Sequence, residues 1–136
     1  MAVFKTTYRV VWADVDGAQV VHHANYFRLF ERAEEEFYEH LGLGFNYFIE
    51  HGFWLPRIEV FCKYRAPSRL ADRLEISLSI EEIKEKAVKY GFTVKKDADV
   101  FVAEGYVVAV AADKEFGRVI SLPLEVVEKL EAFKKG

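Results

Sequence analysis

Between Asn25 and Leu41, apolar side chains return at steps of four, three, four and four, as Tyr26, Phe30, Ala33, Phe37 and Leu41. That spacing fits an α-helix with one apolar stripe, and such a stripe needs cover that the helix cannot supply itself. The opposite face is expected to carry Arg28, Arg32, Glu34, Glu35 and Glu39. Gly42 follows the last apolar residue, where a left-handed backbone commonly closes a helix, so the helix is predicted to end near Leu41. Its start is left open, because Asn25 either caps the helix or sits in its first turn.

The segments around the helix supply the cover. From Phe4 to Trp12 the residues Phe4, Thr6, Tyr8, Val10 and Trp12 share one parity, and Lys5, Thr7 and Arg9 the other. This is the pattern of a half-buried strand. Residues 45–51 suggest a short helical turn that Gly52 breaks. A second strand sets Ile58, Val60, Cys62 and Tyr64 against Arg57, Glu59, Lys63 and Arg65, and stops before Pro67, which has no N–H for a ladder. The third alternates most cleanly, with Leu74, Ile76, Leu78 and Ile80 opposite Arg73, Glu75, Ser77, Ser79 and Glu81. The fourth repeats it with Val88, Tyr90, Phe92 and Val94.

Short polar connections between these strands suit antiparallel hairpins. A fifth strand, over 100–112, is apolar on both parities, which predicts a central place or an interface. Glu104 is its exception and is read as an edge or solvent-facing position. Pro123 is placed for the first turn of a last helix, with Val126, Val127 and Leu130 inside and Lys134 and Lys135 at a basic end. The expectation is an α+β chain, β-α-β-β-β-β plus a C-terminal helix, forming a single domain over 1–136. In it an antiparallel five-stranded sheet wraps around the long central helix.

Charge and composition narrow the function. The 19 basic and 22 acidic residues leave a net charge of −3 with no basic cluster, which argues against a nucleic-acid partner held by phosphate neutralisation. No apolar run approaches the ~20 residues of a membrane span. The N-terminal segment alternates instead of forming a signal-peptide core, so a cytoplasmic location is expected. Cys62 is the lone cysteine and is read as a small core residue and not a nucleophile.

There is no G-x-S-x-G, glycine-rich phosphate loop, cysteine pair at metal spacing or H-E-x-x-H, so the site must be sparse, with no metal and no cofactor implied. The polar candidates gather in the loop ahead of the helix, as Asp14, Asp16, His22 and His23. A carboxylate there can face a ligand while the first N–H groups of the helix polarise an acceptor oxygen, which suits acyl transfer or hydrolysis. Spacing alone leaves a plainer alternative open, in which the aspartates brace the loop through Asx-type hydrogen bonds and the histidines are polar residues near a helix start. Adjacent histidines point in different directions and make a poor metal site.

The run DVDGAQVVHHANY, followed by Phe30, Glu31, Arg32 and Ala33 in the helix, resembles the signature of the 4-hydroxybenzoyl-CoA thioesterase class of hotdog-fold proteins, including the YbgC-like acyl-CoA thioesterases. A second block agrees with that family: Tyr64, Arg65, Ala66, Pro67 and Ser68, then Asp72 and Leu74. The resemblance implies a hotdog fold and hydrolysis of an acyl-CoA thioester. It makes Asp16 the catalytic carboxylate, as nucleophile or as base for water, and has His23 offer its backbone N–H to the thioester carbonyl. Asp14, Asn25 and Tyr26 would order the loop and the start of the helix.

The resemblance also implies at least a homodimer, or a homotetramer, with the active site between subunits. Arg57, Lys63, Arg65 and Arg69 are the candidates for holding the coenzyme A phosphates. Gln19 stands where the family commonly has Gly, a departure that bears on the shape of the loop and on the acyl group accepted. Two other classes stay open: a non-catalytic module holding an acyl-CoA or other apolar ligand, and a hotdog dehydratase. The dehydratase fits less well, because those sites resemble a loop His paired with a helix carboxylate.

Overall fold

Strict alternation in the strand segments gives one strongly apolar sheet face, and the amphipathic helix lies on it. The computed structural model describes residues 3–135; Met1, Ala2 and Gly136, which the single-domain expectation includes, lie outside the described residues. In chain order the elements are β1 (Phe4–Arg9), α1 (Asn25–His40), α2 (Phe45–His51), β2 (Phe53–Trp54), β3 (Arg57–Tyr64), β4 (Arg73–Ile83), β5 (Ala87–Lys96), β6 (Val100–Val110), β7 (Ala112–Asp113) and α3 (Leu124–Glu131). Five strands form an antiparallel sheet in the order β1-β4-β5-β6-β3. No helix among the described residues is long and apolar enough to cross a membrane.

The pairings Leu78 with Phe92, Tyr90 with Val107, and Phe92 with Gly105 bring the apolar parities of β4, β5 and β6 onto one face. α1 packs there through Tyr26, Leu29, Phe30, Ala33, Phe37 and Tyr38, all buried. Phe30 stacks on Phe92 with ring centroids 4.5 Å apart, and the Tyr38 and Tyr90 hydroxyls meet at 2.5 Å. Burying each such aromatic ring contributes on the order of 1.5–3 kcal/mol. Gly105 makes this approach possible: a Cβ there would overlap the Phe61 carbonyl and stand 3.0 Å from Phe30 Cε2. At the other end of α1, Gly42 has φ +76°, as a left-handed helix stop requires.

Several expectations change on contact with the fold. Glu34, assigned to the solvent face of the helix, is buried, because α1 is covered beyond its apolar stripe by the segment leading into β3. Trp12, assigned to the inner parity of the first strand, is 83% exposed. The Asp14 carboxylate accepts the Val11 N–H at 2.8 Å and draws the chain into a 3-10 turn over Trp12–Asp14. β3 keeps the expected parity but not the burial: it is an edge strand that α1 meets at Arg57 and Tyr64 without covering it, and Ile58 is 64% exposed. The small ladder of β2 with β7 was not foreseen, since two residues a side are too few to show a period. Pro123 falls just before α3, at its N-cap, and not inside its first turn.

Candidate active site

The loop between β1 and α1 folds into a miniature hairpin. Val15 bridges Val21, and Val20 bridges Arg69 beside the turn that follows β3. The Asp16 N–H donates to the Val20 carbonyl at 2.9 Å, and the Gln19 N–H returns to the Asp16 carbonyl at 2.9 Å. Closing so short a turn puts Gln19 at φ +67°, a region that favours glycine. The glycine position noted in the sequence is therefore a real conformational demand, met here by a side-chain-bearing residue.

Asp16 stands at this hairpin, half-buried. Its Oδ1 accepts the Ala18 N–H at 2.8 Å, an Asx turn that fixes the carboxylate, while Oδ2 has no partner among the described residues. Bracing and availability thus coexist in one side chain. Asp14 is tied more tightly: its Oδ2 accepts both the Tyr8 hydroxyl at 2.9 Å and the Val11 N–H, and its carbonyl accepts the His22 N–H and Asn25 Nδ2, each at 2.8 Å. Asn25 consequently joins the first turn of α1 to the aspartate loop. Tyr26 is buried one residue further on, and its hydroxyl is held protonated by that burial.

His22 and His23 are exposed and stack at 4.2 Å between ring centroids. His22 Nδ1 accepts the Ala24 N–H at 3.1 Å, so it closes the helix start. His23 is anchored by its carbonyl, which accepts the Tyr64 hydroxyl at 2.9 Å. Its own N–H finds no acceptor among the described residues. A fixed backbone donor without a partner, at a helix start, is the kind of group that can polarise a carbonyl oxygen.

The four basic candidates are dispersed. Arg57 is turned inwards to Glu34, with Nη1 donating to the Leu55 carbonyl at 2.7 Å. Arg65 pairs with Glu104 at 2.5 Å, which holds that exposed carboxyl below its usual range. Lys63 and Arg69 have no ion pair among the described residues, and Arg69 lies beside Val20 of the aspartate hairpin. Cys62 is partly buried, and burial pushes its thiol up to about 11, which keeps it protonated and non-nucleophilic near neutrality.

Sequence reasoning missed a second polar cluster, inside the fold. Glu34 is 7% exposed; burial raises its carboxyl, against the pull of the adjoining Arg57 guanidinium. Tyr38 and Tyr90 lie nearby, both raised by complete burial. Glu34 Oε1 has no partner among the described residues, a condition that costs about 1–3 kcal/mol. A signal was present in retrospect, since Glu34 lies four residues after Phe30 and three before Phe37, on the margin of the apolar stripe. Two clefts of the single chain lie away from Asp16. One of about 750 Å³ runs between the later turns of α1 and Phe45, Trp54 and Phe116, and another of about 560 Å³ lies on the outer face of the sheet.

Comparison with known proteins matches residues 10–130 to the thioesterase-like superfamily. An acyl-CoA thioester hydrolase, YbgC, of Escherichia coli is 25% identical over 134 residues, covering 95% of this chain and 96% of that one. The crystal structure of a hypothetical protein from Aquifex aeolicus superposes with a TM-score of 0.88 at 30% identity, covering 93% of this chain and 98% of the other. A gentisyl-coenzyme A thioesterase superposes with a TM-score of 0.83 at 28% identity over 90% and 98% of the two chains. By its family match and by the sheet wrapped around α1, the chain belongs to the thioesterase-like superfamily and is a hotdog-fold thioester hydrolase.

Proposed function

We propose that this chain hydrolyses acyl-coenzyme A thioesters to the free acid and coenzyme A, with Asp16 as the reacting carboxylate and the His23 N–H as the carbonyl donor. The observation that carries the reading is that the one loop between β1 and α1 presents a carboxylate with one braced and one open oxygen and, where it enters the helix, a backbone N–H without an acceptor among the described residues. The names of the YbgC and gentisyl-coenzyme A relatives support coenzyme A as the carrier. As a base, Asp16 takes a proton from water, the hydroxide oxygen bonds to the thioester carbon, and the C–S bond then breaks to release a thiolate that is reprotonated. As a nucleophile, Asp16 forms the C–O bond itself and expels the thiolate, and water cleaves the resulting anhydride. In both routes the His23 N–H receives the charge that develops on the carbonyl oxygen.

The assembly is part of the same reading. Asp16 lines neither of the two clefts described above, and β3 leaves an apolar edge uncovered, so we assign the complete site to a homodimer, or a homotetramer built from it. Lys63, Arg65 and Arg69 remain the candidates for the coenzyme A phosphates, while Arg57 is committed to Glu34. A lone unpaired cysteine agrees with the reducing cytoplasm. The decisive variant is Asp16→Asn, followed by thiol release from a panel of acyl-CoA substrates. It is expected to lower kcat by about 10²–10⁴-fold with KM little changed. His22→Ala and His23→Ala are expected to cost far less, because each retains its backbone N–H. Wild-type turnover in Asp16→Asn would overturn the mechanism, and a His23→Ala loss as large as that of Asp16→Asn would replace the backbone donor with a histidine acid or base.

A further inference from the structure

One short stretch, the end of β3 and the turn after it, ties both halves of the candidate site to the fold. Val20 bridges Arg69, and the Val21 N–H donates to the Ser68 carbonyl at 2.8 Å, which holds the hairpin that carries Asp16. Just upstream, the Tyr64 hydroxyl donates to the His23 carbonyl at 2.9 Å, which holds the approach to α1. The stretch is itself fixed, because Tyr64 pairs with Ala103 of β6 and the Arg65 N–H donates to the Val102 carbonyl at 2.8 Å. The spacing between the Asp16 carboxylate and the His23 N–H is therefore set from the sheet.

Around His23 the other hydrogen bonds are local. The His22 carbonyl accepts the Asn25 N–H at 2.9 Å, the Ala24 N–H donates to the His22 ring at 3.1 Å, and the Tyr26 N–H reaches the His23 carbonyl at 3.5 Å. The His22 N–H and Asn25 Nδ2 both go to the Asp14 carbonyl, within the same loop. Bonds of this kind shape the turn and move with it. The Tyr64 hydroxyl comes from the sheet instead, so it fixes where the turn stands. Ala24, at the N-cap of α1, makes no side-chain bond that could take over the task. The Tyr64 ring is set for it, edge-on to Tyr26 at 5.4 Å between centroids and to His23 at 6.5 Å.

We propose that Tyr64 is a positioning residue of the hydrolytic site, whose hydroxyl sets the aim of the His23 N–H at the thioester carbonyl. The assignment rests on the hydrolase reading above and adds to it a residue from outside the loop. A donor to a developing oxyanion works through its direction, and a misplacement of about 1 Å can cost about 10²-fold. Without the hydroxyl the His23 carbonyl turns to water, the start of α1 loosens, and the N–H samples directions that miss the carbonyl. The bound thioester loses little by this and the transition state loses more, so the loss falls on kcat. Tyr64 itself touches no reacting atom and passes no proton to the substrate.

The test is Tyr64→Phe, which keeps the ring and removes the hydroxyl, followed by thiol release from the acyl-CoA panel. kcat is expected to fall about 10–100-fold with KM within about threefold, while the fold and the shape of the pH profile stay those of the wild type. Replacement of Tyr64 by 4-aminophenylalanine, which keeps a donor at the same reach, should restore kcat. Tyr106→Phe, which removes a hydroxyl bound to Glu59 on the outer face of the sheet, should leave turnover unchanged. The bound carbonyl gives a readout independent of hydrolysis. In a carbon-13-labelled ketone analogue of benzoyl-CoA, with methylene in place of the thioester sulfur, its infrared stretch should lie at higher frequency in Tyr64→Phe than in the wild type. If the wild type hydrolyses nothing but this shift appears, the hydrolase reading falls and the positioning assignment stands. Unchanged kcat, a rise in KM alone, a lost limb of the pH profile, a loss of the fold, a kcat loss that 4-aminophenylalanine does not restore, or an unchanged stretch would each overturn it.

Discussion

At the scale of single residues, Cys62 gives the plainest pH dependence. Burial puts its thiol at about 11 against an ordinary 9.0. Because the folded value lies above the unfolded one, the protonated form is what folding favours. Its contribution is fully present below the unfolded value and is lost as the pH rises through about 11. Thiolate absorbance should therefore show a midpoint near 11 in the native protein and near the ordinary 9.0 in urea; coincident midpoints would refute the burial account. Asp16 and Asn25 were singled out by the family resemblance, because spacing alone left the aspartates equally readable as loop braces, and the Asx turn at Asp16 shows that bracing is part of what it does. Glu34 was not, since a glutamate on the margin of a stripe reads as solvated until its partner is known, and Arg57 is twenty-three residues away in the chain. The demand at Gln19 became visible only with its φ of +67°.

Among the elements, β6 carries the sharpest constraint. Gly105→Ala should destabilise the fold by about 1–3 kcal/mol or more in urea unfolding, because the added carbon meets the Phe61 backbone and the Phe30 ring, neither of which can move freely. Gly91→Ala is the control: its new carbon meets only the side chain of Glu81, which can swing away, and the cost should be smaller. Equal losses would mean that strand glycine content, and not close approach, sets the effect. β4 and β5 were readable because both have one face in water and the other under α1, so burial repeats every second residue. β3 has the same alternation without the burial, a difference that depends on what lies over the strand and leaves no mark on its own pattern.

For the whole molecule, the outer edge of β3 is the unfinished feature. Its backbone has no neighbour strand on that side among the described residues, and Ile58, Val60 and Phe61 are exposed along it. Sedimentation at micromolar concentration should show a species of at least two chains, and Ile58→Lys should shift it towards one; a wild type of single-chain mass would end the dimer assignment. The open edge also has a consequence for how activity scales. If each working site needs parts of two chains, then far below the dissociation constant the number of sites follows the square of the chain concentration, and doubling the protein quadruples the rate. An uncovered strand edge then acts as a dose threshold: a cell making little of the chain holds it almost silent, and a modest rise in synthesis switches on disproportionate turnover.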